Sequence, residues 1–136
     1  MFLRIDHIGI ACHDLEAKIE QFTTLFELEV VTREVNEEQG VKEAMLRVAG
    51  DSYIQLLEPL SADSPVGKFL AKRGEGVHHV AFGVPDVTDA MEVIGSRGVR
   101  LLDEQPRHGS MGSSIAFLHP KDVGGMLTEL VQAAKP

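Results

Sequence analysis

The segment from Leu3 to Ala11 is rich in β-branched residues and predicts a strand. The rhythm then changes, with Leu15, Ile19, Phe22 and Phe26 recurring at spacings of 4, 3 and 4. That is one stripe of an amphipathic helix, and Asp14 stands at its N-cap position. Leu28 to Val35 predicts the next strand, closed by the polar turn Asn36-Glu37-Glu38-Gln39-Gly40. Val41 to Val48 and Ser52 to Leu57 predict two more, joined through Ala49-Gly50-Asp51. Residues 59–75 read as a linker. Pro59 ends the strand, Ser64-Pro65 supplies a cap and a proline at the first helical position, and Gly74 stops a short helix with Val66, Phe69 and Leu70 on its apolar side.

After the linker the pattern starts again. Val77 to Phe82 predicts a strand, and Asp86 caps a helix with Val87, Ala90, Met91 and Ile94 on one face. Gly98 ends that helix, and Val99 to Asp103 predicts the strand after it. A loop with Pro106, Gly109 and Gly112 leads to strands over Ile115 to His119 and Met126 to Val131. Each half therefore reads β-α-β-β-β, an internal repeat of about half the chain. The expected fold is α+β, a single domain made of two βαβββ modules, residues 1–58 and 76–136, around the linker at 59–75.

Charge and composition narrow the function classes. A net charge of −8 argues against a nucleic-acid binder, whose basic patches displace counterions from phosphates. No apolar run approaches the roughly 20 residues that span a bilayer, so no membrane partner is expected. Asp6 comes too early for a secretory signal, and the single Cys12 excludes an intramolecular disulfide and a multi-cysteine zinc cluster. The expectation is a cytoplasmic, acidic, soluble domain.

The repeat aligns residues that carry chemistry. Asp6-His7-Ile8-Gly9-Ile10 matches His78-His79-Val80-Ala81-Phe82, and Tyr53-Ile54-Gln55-Leu56-Leu57 matches Leu127-Thr128-Glu129-Leu130-Val131. His7 is then equivalent to His79, and Gln55 to Glu129. Strand side chains alternate between faces, so each of these residues stands in the middle of an otherwise apolar or small face. A lone strand histidine is more often a hydrogen-bonded core residue than a ligand. Four ligand-type residues at repeat-equivalent positions are another matter, because burying them without partners is costly. Two nitrogens and two oxygens suit a borderline first-row divalent cation. The remaining histidines have plainer readings: His13 belongs to a helix cap, His78 points away from His79, His108 lies in the glycine-containing loop, and His119 ends a strand before Pro120.

These halves resemble the vicinal oxygen chelate superfamily, which includes glyoxalase I and the extradiol dioxygenases. Asn36-Glu37-Glu38-Gln39-Gly40-Val41, Gln55-Leu56-Leu57-Glu58-Pro59, Gly76-Val77-His78-His79, Gly109-Ser110-Met111-Gly112, His119-Pro120-Lys121 and Leu127-Thr128-Glu129-Leu130 resemble its methylmalonyl-CoA epimerase branch. The resemblance runs from residue 4 to residue 131. It implies an eight-stranded, cup-shaped mixed sheet and a divalent site, of Co²⁺ type with Mn²⁺, Ni²⁺ or Zn²⁺ as alternatives, held by His7, Gln55, His79 and Glu129. It also implies epimerisation of (2R)- and (2S)-methylmalonyl-CoA through an enolate, with Glu43 and Glu129 as the two bases, in propionate-type metabolism. An acyl-CoA is then the expected small-molecule partner and a homodimer the expected assembly.

Ser110, Met111 and Gly112, with Ser113, are expected to offer backbone N–H groups to a substrate oxygen. Lys121, together with Lys68, Lys72, Arg73 and Arg107, supplies the candidate cations for the CoA phosphates. Three departures from the family pattern stand out: Phe26-Glu27 where an aromatic-Gly pair is usual, a short connection at 49–52, and Met126 in place of a smaller residue. None falls on a proposed ligand. Two other readings of the same fold stay open at this point. One is a glyoxalase I-like lyase acting on a hemithioacetal, and the other is a metal-free small-molecule binder of the resistance type. An extradiol dioxygenase fits less well, because its iron takes two histidines and one carboxylate in a longer chain.

Overall fold

Asp14 does what its position predicts. In the computed structural model, which describes residues 1–136, its side chain accepts a hydrogen bond from Ala17 N and opens helix α1 (Leu15–Phe26). His13 takes no side-chain part in the cap: its backbone N–H donates to Glu75 Oε2 at 2.9 Å instead. The chain forms two compact units, His7–His78 and Met1–Asp6 with His79–Pro136.

In the first unit β2 (Glu29–Asn36), β3 (Val41–Ala49), β4 (Ser52–Pro59) and the His7–Ala11 part of β1 (Arg4–Ala11) lie in the order β2-β3-β4-β1. β1 runs parallel to β4, and the other neighbours are antiparallel. One sheet face, with Ala44, Leu46 and Leu56, packs under Leu15 and Ile19 of α1, with Cys12 buried beside them. On the opposite face Ala11, Val41 and Leu57 are covered by Val66 and Leu70 of helix α2 (Pro65–Arg73). Ser64 caps α2 by accepting from Gly67 N at 3.1 Å, and Gly74 at φ +74° ends it, as the linker residues predict.

In the second unit the His79–Gly83 part of β5 (Gly76–Gly83), β6 (Arg107–His108), β7 (Ser114–Leu118) and β8 (Thr128–Gln132) lie in the order β5-β8-β7-β6. β5 and β8 are parallel and the rest antiparallel, which repeats the first unit's pattern. Helix α3 (Val87–Ser96) is capped by Asp86 and buries Val87, Ala90, Met91 and Ile94 against Ala116, Leu118 and Leu130. The N-terminal residues belong here: Leu3 N donates to Gly83 O at 2.8 Å, and Phe2 stacks on Phe82 at 4.4 Å.

The βαβββ order of elements thus occurs twice along the chain, and the fold is α+β with mixed pairing. One element departs from expectation. Val99 to Asp103 is not a continuous strand, because only Leu101 bridges to Leu118, and the ladder on β7 resumes at β6. The reason is local. The Asp103 carboxylate takes the Phe117 N–H at 2.8 Å, and Pro106, lacking an N–H, cannot carry the ladder on. No helix is long and apolar enough to cross a membrane.

Candidate active site

Register decides which of the repeat-equivalent residues become neighbours. In the β1–β4 pair His7 stands opposite Tyr53, and Gly9 stands opposite Gln55. The glycine leaves the space beside Gln55 without a competing side chain. On the far side of β4, Met45 faces Gln55, and Glu43 lies two residues along on the same face of β3. Gln55 Nε2 donates to Glu43 Oε2 at 2.8 Å. His7, Glu43 and Gln55 are 3%, 4% and 5% exposed, so a carboxylate and an amide are taken out of water together. A glutamine facing a carboxylate must turn its NH₂ toward it, and this leaves the amide oxygen, with its lone pairs, as the atom suited to a cation.

The second unit repeats the design. Ala81 stands opposite Glu129 in the β5–β8 pair, so a small residue two positions after the histidine again faces the oxygen-bearing residue. His79 Nε2 and Glu129 Oε2 are 3.7 Å apart, and both residues are buried. That distance exceeds a hydrogen bond, yet two ligand atoms so spaced can each stand about 2.0–2.2 Å from a single cation. An imidazole nitrogen beside a carboxylate oxygen fits a divalent first-row ion, and the amide oxygen of Gln55 is of a type such ions accept. Phe117, opposite Glu129 on β7, sets its ring edge-to-face on His79 at 5.7 Å.

The remaining candidates are placed as follows. Ser110, Met111 and Gly112 form a tight turn kinked at Met111, with Met111 at φ 57° and Gly112 at φ +71°. Ser113 N donates back to Ser110 O at 3.1 Å, so this N–H serves the turn rather than a substrate oxygen. A Cβ on Gly109 would come within 2.5 Å of Ile115 Cγ2 and 2.6 Å of Ser113 Oγ, so a larger residue there would have to displace these side chains. Lys121 lies in the turn Pro120–Asp122, its N–H bonded to His119 Nδ1 at 3.2 Å and its side chain exposed. Lys68 and Lys72 are exposed on α2, where the Arg73 guanidinium stands 5.8 Å from the Phe69 ring. Arg107 is half-buried and paired with Asp103 at 3.4 Å.

His78 behaves as its strand position predicts. Its ring packs against Phe69 at 5.1 Å, away from His79, and burial pushes its imidazole down to about 4. Sequence reading missed Phe117 and Asp103. Their roles depend on which residue of β7 faces Glu129, and no periodicity within one strand carries that information.

Known proteins resemble this chain in sequence and in fold. A family model described as the Glyoxalase/Bleomycin resistance protein/Dioxygenase superfamily matches residues 6–117. The ethylmalonyl-CoA/methylmalonyl-CoA epimerase of Cereibacter sphaeroides is 35% identical over 134 residues, covering 97% of this chain and 99% of that protein. A variant of Streptomyces coelicolor methylmalonyl-CoA epimerase, solved in complex with 2-nitronate-propionyl-CoA, is 57% identical with a TM-score of 0.97, covering 99% of this chain and 100% of that one. A methylmalonyl-CoA epimerase in complex with methylmalonyl-CoA and NH4+ is 58% identical with a TM-score of 0.97, over 98% and 96% of the two chains. By family model, curated relatives and fold alike, the chain belongs to the glyoxalase/bleomycin resistance protein/dioxygenase superfamily and, within it, to the methylmalonyl-CoA epimerases.

Proposed function

We propose that this chain interconverts (2R)- and (2S)-methylmalonyl-CoA by moving the proton at C2. The observation that carries this reading is the buried Glu43 carboxylate, held by the Gln55 amide on a face that is otherwise apolar or small, in a chain 57% identical to an epimerase over 99% of its length. Epimerisation needs a base that removes the proton from one side of C2 and an acid that returns it from the other. Glu43 takes the first role and Glu129 the second, and they exchange roles in the reverse direction. Between the two transfers C2 is planar, as part of an enolate.

His7, Gln55, His79 and Glu129 would hold a divalent cation, Co²⁺ by preference. When bound, it supplies Lewis-acid polarisation of the substrate's carboxylate and thioester carbonyl, which acidifies C2–H. Gln55 ties the two functions together, since its NH₂ orients Glu43 while its oxygen serves the cation. Ser110, Met111 and Gly112 line the acyl end of the substrate, and Lys121 meets the CoA phosphates. A cytoplasmic homodimer is the assembly we propose, built on the exposed apolar residues Leu3 and Ile5, and sedimentation equilibrium tests it.

The deciding experiment is deuterium incorporation from solvent at C2 of methylmalonyl-CoA, with metal-loaded protein beside an EDTA-stripped control. Exchange and inversion that require the metal are expected. No exchange with any of Co²⁺, Mn²⁺, Ni²⁺ or Zn²⁺ would overturn the reading and bring forward the hemithioacetal lyase or the metal-free binder.

A further inference from the structure

Phe117 stands opposite Glu129 across the β7–β8 pair, and its ring meets the His79 imidazole. Its own backbone is fixed on the side away from β8, where its carbonyl accepts from Leu102 N at 2.8 Å and its N–H donates to Asp103 Oδ2 at 2.8 Å. Since both polar groups point that way, Phe117 and Glu129 form the non-hydrogen-bonded kind of antiparallel pair, in which side chains stand closest. The Phe117 ring therefore sits beside the Glu129 side chain and meets the His79 imidazole edge-to-face at 5.7 Å and 86°.

An imidazole that offers one nitrogen to a cation must be held against rotation about its outer torsion, which is intrinsically soft. A perpendicular ring resists that rotation without competing for either nitrogen. Asp103 is the unusual part. Its side chain is only 9% exposed, and it supplies the acceptor that a neighbouring strand's carbonyl would otherwise provide, with Arg107 paired to its other oxygen at 3.4 Å. Without Asp103, the Phe117 N–H would lose its acceptor just where the ladder is already broken before Pro106.

We propose that Phe117 is a positioning residue for the His79 imidazole, and that Asp103 holds Phe117 in place by standing in for a strand carbonyl. This rests on the metal reading of His79 and Glu129. The first measurement uses metal-free protein: the carbon-bound ring protons of His79 by NMR, assigned with His79→Gln. Phe117→Leu should abolish their ring-current shift. The second is Co²⁺ titration followed by visible absorption. Phe117→Leu should weaken Co²⁺ about 10-fold, Asp103→Ala should weaken it severalfold, and Asp103→Asn, whose amide oxygen still accepts the N–H, should stay near wild type. If wild type binds Co²⁺, His79→Gln loses it and Phe117→Leu binds within twofold of wild type, the positioning role is overturned and the metal reading stands. Unchanged His79 shifts in Phe117→Leu overturn it too. A wild-type protein that takes no Co²⁺, Mn²⁺, Ni²⁺ or Zn²⁺ overturns the metal reading and this role with it.

Discussion

At the scale of the residue, the two carboxylates of the proposed mechanism should separate in their behaviour. Glu43→Gln removes a base and leaves the proposed ligands in place, so kcat should fall at least about 100-fold with Co²⁺ affinity within a few fold of wild type. Glu129→Gln should lower both, and paired kinetic and metal titrations distinguish the two. A stability prediction attaches to Glu27, which ends α1 in the left-handed region at φ 56°. A β-carbon is disfavoured there, so Glu27→Gly should stabilise the protein by about 1 kcal/mol, read from urea unfolding. A glycine at this position would take the same left-handed turn without that strain.

At the scale of the element, Gly67 inverts an ordinary rule. Glycine to alanine inside a helix normally gains about 1 kcal/mol. Here a Cβ would stand 2.4 Å from Ser61 O and 2.8 Å from Ala62 O, both rigid backbone atoms. Gly67→Ala should therefore destabilise α2 and the apolar cluster beneath it by about 1–3 kcal/mol, measured by chemical denaturation. Cys12 follows from the packing of α1 on its sheet. Burial first, then the nearby Glu75 and Glu58 carboxylates, push its thiol from 9.0 up to about 11. The unfolded chain thus releases this proton first, so Cys12 contributes stability that is fully present below pH 9 and is lost as pH rises from there toward 11. Near pH 8 the native thiol should react with a disulfide reagent at least about 100-fold more slowly than in denaturant. A native rate equal to the denatured one would contradict the buried placement.

At the scale of the whole molecule, a bound divalent ion should act on stability as well as on chemistry. A ligand at 100 times its Kd adds about 2.7 kcal/mol, which for a chain of this size raises Tm by about 5–10 °C. Calorimetry with and without EDTA reads this directly, and coincident transitions would contradict the four-ligand proposal. Much of the architecture was legible in the residues alone. Asp14, Ser64 and Asp86 mark the three helix starts because a capping side chain acts within its own turn, and the βαβββ repeat is a matter of local period. The equivalence of His7 with His79 and of Gln55 with Glu129 came from the same repeat. What only the tertiary structure decided is pairing across strands: Gln55 donating to Glu43, Phe117 meeting His79, and Asp103 replacing a carbonyl so that 99–103 fails to form its strand. The physical reason is range. Caps and periodicities are settled by contacts within a few residues, whereas register is settled by which neighbour best fills the space across the sheet, and that neighbour lies far away in the chain.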